Sequence, residues 1–398
     1  MKNLKGVIID LFIRIYRLKL RNRIKTIRAK DKIQVLFVVS DLSKWKSKYL
    51  YYRMKSHNRF EPIVGVTMRI GETASENSRK NITLIKFLEE NKINYVELLS
   101  NGEDGQYDII IYQEPYIGSV PIHSSVFGNI NSLFISVHYG FHTTTLPIWY
   151  VQAFYRLCWF DCYENNDLYR QIIKLYPSRN NIRITGLPMA DELMDISRCD
   201  PWKMQQTSKK RIIWAPHHSI GFANESITYS CFLDIADDMI NLAIKYKDKV
   251  QWAYKPHPWL RFKLEKIWGK TKTNNYYHFW ETFESSQAEY GEYVSLFQHS
   301  NAMIHDCSSF IIEYLYTRCP VMYLNSHIQE ETLNKFAYNG YLVHYKGKTI
   351  LDIENFINDV IDGKDINREK RDNYFNNYLL PPNGKSACDN IIDNILSL

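Results

Sequence analysis

The sequence predicts two α/β halves, each a doubly wound parallel sheet, joined by a linker. Three observations carry this. Short apolar runs such as residues 32–41 are nearly continuous in apolar residues, as in strands buried on both faces. These runs alternate with segments of helical period, which is the pattern of βαβ winding. The alternation lapses over residues 195–210, a polar stretch with no periodicity that contains Pro201, and then restarts at Arg211. At 398 residues, 45% hydrophobic and 14% aromatic, the chain has the length for two domains and the side chains for two cores. The expected division is a basic segment at 1–31, a first half at 32–195 and a second at 211–398.

In the first half, strands are expected at residues 32–41, 62–67, 107–112 and 133–137, with a short closing strand at 181–188. Helices are expected at 44–56 and 77–91. In the second half, strands fall at 211–215, 250–254, 302–305 and 321–324, with a helix at 232–246. Residues 268–292, with Tyr276, Tyr277, Phe279 and Trp280, read as an aromatic, polar insert. No internal repeat or low-complexity tract interrupts the pattern. Two such halves around a linker are expected to leave a cleft, a usual place for a ligand.

Charge is unevenly placed. Residues 1–32 hold eleven Lys/Arg against Asp10 and Asp31, a net of +9, so the rest of this +7 chain nets −2. Val7, Ile8, Leu11, Phe12 and Ile15 share one helical face beside that basic run. The apolar stretch is broken by Asp10 and Arg14 and is too short to span a bilayer, and no small-residue cleavage site follows it. A basic amphipathic segment suits an anionic membrane surface, where each cation contributes about 1 kcal/mol. Two alternatives stand beside it: a helix packed on the body, or a nucleic-acid tail. The net −2 elsewhere, without a distributed basic stripe, argues against nucleic acid. The seven cysteines are odd in number with no CxxC pair, which reads as reduced thiols in a cytosolic compartment and excludes a disulfide frame or zinc site.

The chemistry sits at the ends of strands. The run at 302–320 ends its apolar part at Asp306, follows with Ser308 and Ser309, and starts a helical pattern at Phe310. Either serine can cap such a helix, whose N–H groups then form an anion site. Three other loops share that placement: His138-Tyr-Gly140, Pro216-His217-His218 and His257-Pro258. Histidine there can serve as acid, base or phosphate partner. Glu313 lies four residues after Ser309, where it either meets a ribose hydroxyl or is a plain helix-surface carboxylate. Lys255 or Arg261 can add positive charge beside His257. No Asp-x-Asp argues for a metal; Asp237 and Asp238 lie mid-helix.

In this order the loops resemble the CDP-glycerol glycerophosphotransferase family, enzymes that build teichoic-acid and capsule polyol-phosphate chains. His138-Tyr-Gly140 is similar to that family's His-Gly-Thr loop, and Ala215-Pro-His217 to its Ala-Pro-Thr. His257-Pro258 matches a His-Pro loop, Asp306-Cys-Ser-Ser309 an Asp-Tyr-Ser-Ser turn, and Cys319-Pro320 a later proline. Thr185-Gly-Leu-Pro188 with Asp191, and Asn383-Gly-Lys-Ser-Ala387, resemble two further family elements. The resemblance spans residues 133–387. It implies a GT-B-type fold of two facing Rossmann-like domains, with acceptor toward the first and nucleotide in the second. It implies attack of an acceptor hydroxyl on the β-phosphorus of a CDP-polyol, releasing CMP without a metal or other cofactor. His138 and His257 would be catalytic, His138 as the base. Asp306, Ser308, Ser309, Pro216, His217 and Glu313 would hold the donor, and Gly140 the acceptor loop. The partners would be a lipid-linked or polysaccharide acceptor and the cytoplasmic face of a membrane. Tyr139, His217-His218 and Cys307 depart from the family pattern and leave the donor open between glycerol, ribitol and a sugar. A nucleotide-sugar glycosyltransferase of the same fold class is the second reading.

Overall fold

The computed structural model describes residues 4–98, 107–114, 118–146, 150, 153–221, 230–324 and 332–397. The chain forms two compact units, one of residues 1–192 with 380–398, the other of residues 193–379.

The first unit is built on a parallel sheet in which the described strands are β1 (Ile33–Val39), β2 (Phe60–Val66), β3 (Tyr95–Glu97), β4 (Ile109–Tyr112), β5 (Leu133–Ser136), β6 (Phe160–Tyr163) and β7 (Ile182–Ile184). Their order is β3-β2-β1-β4-β5-β6-β7. The chain winds outward from β1 through β2 to β3, then returns to place β4 on the other side of β1. That reversal creates a switch point at the carboxyl ends of β1 and β4. β1 is buried at every position but Gln34, which fits the uninterrupted apolar run that predicted it.

The N-terminal helix Leu4–Arg28 is part of this unit. Ile13, Tyr16 and Ile27 are buried, Phe12 and Leu20 pack beside them, and the Tyr16 ring stacks on Phe134 at 5.2 Å with its hydroxyl on the Ser132 carbonyl. This corrects the expected apolar face. Leu11 and Ile15, placed with Phe12 by the sequence, point outward with Leu18 at 58%, 50% and 81% exposure. The side chains of Val7 and Ile8 lie outside the described residues.

The end of the chain also belongs here, against the expectation that the second half would run to 398. The helix Ala387–Leu396 is held at its N-terminus by Asp191, whose two oxygens accept from the Ala387 and Cys388 N–H groups at 2.8 Å each. Ser386 caps the same helix, and Arg28 donates to the Ile395 carbonyl at its other end. Gly186 sits at φ +74°, and a Cβ there would lie 3.0 Å from that of Ala387. Thus Thr185-Gly-Leu-Pro188 with Asp191 and the Ser386-Ala387 element form one structural clasp.

The second unit repeats the winding. Its strands are β8 (Lys210–Ala215), β9 (Val250–Tyr254), β10 (Ser286–Ala288), β11 (Ala302–His305), β12 (Val321–Leu324) and β13 (Tyr345–Gly347), in the order β10-β9-β8-β11-β12-β13, all parallel. The switch point lies between β8 and β11. The supposed insert at 268–292 is instead a core helix, Gly269–Thr282, followed by β10. Its Thr273, Tyr276, Tyr277 and Trp280 recur at helical spacing and are buried, Trp280 stacking on Tyr254 at 5.3 Å. Residues 195–209 have no helix or strand, as expected of a linker, but Trp202 is buried with its indole N–H on the Leu296 carbonyl, so the segment is packed.

Replacing Asp191 by Ala leaves two helix N–H groups unmet, at a cost of about 1–2 kcal/mol. The denaturation midpoint should fall accordingly, and limited proteolysis should release the C-terminal helix first. An unchanged midpoint would remove the clasp from the account.

Candidate functional site

The second unit gathers its histidines because the β8–β9 pairing runs on past the strands. The Lys255 N–H donates to the Trp214 carbonyl at 2.8 Å, and the His257 N–H to the Pro216 carbonyl at 3.0 Å. This zips the Pro216 and His257 loops together at the switch point. The rings of His217, His218 and His257 stand 4.2–4.8 Å apart, centre to centre.

Each ring is oriented at Nδ1. The Ser219 backbone N–H donates to Nδ1 of His217 at 3.2 Å, and that of Trp259 to Nδ1 of His257 at 3.1 Å. Buried Lys263 donates to Nδ1 of His218 at 2.6 Å and to its carbonyl at 3.0 Å. A nitrogen that accepts carries no hydrogen, so each neutral ring has its hydrogen on Nε2. Protonating His217 or His257 would set an N–H against a backbone N–H. Burial and the neighbouring His218 work the same way: His257 is pushed down to about 3, and His217 well below the usual imidazole range. The cluster is a set of neutral N–H donors.

Among the described residues these three histidines are the group whose ligand atoms lie close enough for a metal, all within 4.8 Å of one another. Their tautomers fit a cation poorly. A metal on Nε2 needs the hydrogen on Nδ1, where backbone N–H groups or, at His218, the Lys263 ammonium already donate.

Asp306 is fully buried and serves this loop from behind. One oxygen accepts from the His217 N–H at 2.6 Å; the other accepts from the Ser230 hydroxyl at 2.6 Å and the Cys231 N–H at 3.0 Å. Burial raises its carboxyl to about 6 against the pull of those donors. The expectation that Asp306 holds the donor directly is therefore corrected: it fixes the loop that carries His217.

At Ser309 the expected cap is corrected. Ser309 has helical angles (φ −66°, ψ −36°) and makes no cap bond; its hydroxyl meets the Cys307 sulfur at 3.2 Å. The backbone turns helical early, so the carbonyls of Ser308 and Ser309 receive the N–H groups of Ile311 and Ile312 at 3.3 Å. The helix itself is Phe310–Glu313, one turn, continuing as a tighter 3-10 turn over Tyr314–Thr317, and it is too short to act as an anion site by itself. Glu313 is 3% exposed and accepts the Tyr293 hydroxyl at 2.6 Å, so it is not a plain helix-surface carboxylate. Arg261 turns away from His257, bonding Asn274 and covering the Tyr277 ring at 4.9 Å. Lys255 is buried with its ammonium 5.6 Å from the Tyr293 ring centre.

In the first unit, His138 follows β5 and is buried. Its Nε2 lies 2.9 Å from Asp161 on β6, whose other oxygen takes Arg179 at 2.5 Å. Burial alone would raise the Asp161 carboxyl, but His138 and Arg179 outweigh it and hold it below the usual carboxylate range. Burial and His142 lower His138, so its resting form is neutral. Asp161 then takes the Nε2 hydrogen, and the basic lone pair is on Nδ1. Tyr139 meets the Lys44 ammonium 5.6 Å from its ring centre, beside the crevice that Ser40, Asp41, Gln113 and Glu114 line at the β1–β4 switch point. A Cβ on Gly140 would meet nothing within 4 Å.

Sequence reasoning missed Asp161, Arg179, His142, Glu164, Ser230 and Lys263. Asp161 had one visible signal, an acid inside an otherwise apolar strand.

A model of the CDP-Glycerol:Poly(glycerophosphate) glycerophosphotransferase family matches residues 161–397. No curated protein sequence matches the chain. Among solved structures, a variant of the wall teichoic acid polymerase TagF is similar at 15% identity and TM-score 0.58, over 98% of this chain and 94% of that one. The S. aureus MnaA–UDP structure is similar at 15% identity and TM-score 0.56, over 92% and 96%. A UDP-N-acetylglucosamine 2-epimerase from Listeria monocytogenes is similar at 13% identity and TM-score 0.55, over 92% and 96%. These likenesses assign the GT-B-like α/β fold, and the family match assigns the class of enzyme. The chain belongs to the CDP-glycerol:poly(glycerophosphate) glycerophosphotransferase family and is a transferase of that class.

Proposed function

We propose that this transferase moves glycerol or ribitol phosphate from its CDP-activated donor to a hydroxyl of a lipid-linked or polysaccharide acceptor, releasing CMP, in cell-surface polymer synthesis at the inner face of a membrane. The observation that carries the reading is the set of three neutral Nε2–H donors on His217, His218 and His257, held at paired strand ends.

Phosphoryl transfer is largely positioning and neutralisation of oxygen charge. Fixed N–H donors suit a diphosphate, since they need no reorganisation as charge shifts onto the leaving CMP. His257 and His217 donate to the phosphates, with Ser308 and Ser309 beside them, and Pro216 holds the loop. Lys255 and Lys263 supply positive charge nearby, so the reaction needs no metal. On the acceptor side, His138 takes the hydroxyl proton at Nδ1 while Asp161 fixes the ring, and Gly140 leaves room for the acceptor.

No helix among the described residues is long and apolar enough to cross a membrane. Support for a membrane surface comes from the outer face of the N-terminal helix. Leu11, Ile15 and Leu18 are exposed there among Arg14, Lys19, Arg21 and Lys25. Because the opposite face is core, deletion of residues 1–30 would damage the fold; point changes are the proper test. The triple variant Leu11→Glu, Ile15→Glu, Leu18→Glu should lose sedimentation with anionic vesicles while its melting temperature is kept. Equal sedimentation would refute this partner.

A donor panel scored by nucleotide release tests the reaction. CDP-glycerol or CDP-ribitol with a polyol-phosphate acceptor should yield CMP, undiminished by EDTA. Release of UMP or UDP from nucleotide sugars instead would transfer the case to a glycosyltransferase. His138→Ala and His257→Ala should each lower kcat/KM by about 10²–10³; near-normal turnover in both would sink the assignment.

The donor grip also predicts a pH response. Imidazolium donors would lose grip as pH rises through their pKa, tenfold per unit. Here His217 and His257 are neutral from well below pH 6, so the donor KM should stay level from pH 6.5 to 8.5. A steady rise of KM across that range would contradict neutral donors.

A further inference from the structure

Beside His138 stands a second pair of the same kind. His142 donates its backbone N–H to Glu164 at 2.6 Å, and its Nδ1 lies 2.9 Å from the other oxygen of that carboxylate. The His138 and His142 rings are 3.9 Å apart, centre to centre. All four side chains are buried, at 4% exposure or less for their side-chain atoms. One histidine gives its Nε2 hydrogen to a carboxylate and the other its Nδ1 hydrogen, so the two basic nitrogens are of opposite kind.

The charge of this cluster decides what it can do. The groups facing the two rings are Asp161, Glu164, Arg179 through Asp161, and the phenols of Tyr150, Tyr155 and Tyr163. Burial pushes the Tyr155 and Tyr163 phenols well above their usual range, and the Tyr150 hydroxyl donates to the Thr144 carbonyl, so all three are neutral. With neutral imidazoles, two carboxylates face one guanidinium, an excess of one negative charge. Uptake of a single proton neutralises the cluster. A second would leave one positive charge where little water reaches, and two imidazolium rings so close would repel.

We propose that His142, fixed by Glu164, is a positioning residue for His138, and that the two imidazoles form one base unit taking a single proton between them. This rests on the reading of His138 as the acceptor-side base. In the step, the acceptor O–H gives its proton to Nδ1 of His138 and its oxygen bonds to the donor β-phosphorus. The bond from that phosphorus to the CMP oxygen breaks, and its electron pair leaves with CMP. Once that proton is on the pair a second is opposed, because positive charge on one ring opposes charge on the other 3.9 Å away.

The test follows the acid limb of the pH profile for CMP release, and the NMR titration of His138, in the full chain. His142→Gln removes the opposing ring; His142→Phe also keeps the stacking on Tyr163. In the parent the shared proton makes the His138 titration two-step, with the second step displaced to lower pH; in whichever variant folds it should become one complete step. A lower rate with the form of the His138 titration unchanged would make His142 structural and overturn the proposal. Undiminished CMP release by His138→Gln would overturn the base reading itself, a separate outcome.

Discussion

Asp306 accepts three hydrogen bonds on a carboxylate with no exposure to water, and the second unit's chemistry is arranged around it. It ties the end of β11 to the His217 N–H and, on the far side, to Ser230 and Cys231. With the Pro216 carbonyl holding the His257 N–H, the ends of three strands are locked in one geometry. Once those backbones are fixed, the N–H groups of Ser219 and Trp259 are fixed too, and they dictate which ring nitrogen carries hydrogen. Function in this unit thus descends from backbone placement: sheet order, loop pairing, tautomer, donor direction.

The first unit solves a different problem with the same elements. There carboxylates rather than N–H groups meet the rings, so His138 is left with a basic nitrogen instead of an outward N–H. Histidine next to a donor becomes a donor, and histidine next to a carboxylate becomes a base. This contrast separates the two kinds of histidine without reference to position in the chain.

Strands buried on both faces were legible because nothing else in the chain is so continuously apolar; β1 and β9 stand almost where expected. β3, β10 and β13 were not, since three residues carry no period. The helix Gly269–Thr282 was mistaken for an insert because its buried face is aromatic and its exposed face polar, and composition masked the spacing. Placing residues 380–398 with the first unit needed the Asp191 clasp, a contact across nearly two hundred positions. At the site, His138, His217 and His257 were visible as residues at strand ends. Their roles were not, because tautomer is set by partners such as Lys263 and Asp161, which lie 45 and 23 positions along the chain from the rings they meet. Asp306 was assigned to the ligand for its chemistry, and its burial against the His217 loop reverses that.

The central claim is that backbone donors hold His217 and His257 as neutral rings with hydrogen on Nε2. Long-range proton–nitrogen NMR correlation on histidine-labelled protein reads tautomers directly. The account predicts the Nε2–H form for both at pH 7, retained when CDP-glycerol is added. Imidazolium signals, or hydrogen on Nδ1 in either ring, would contradict it.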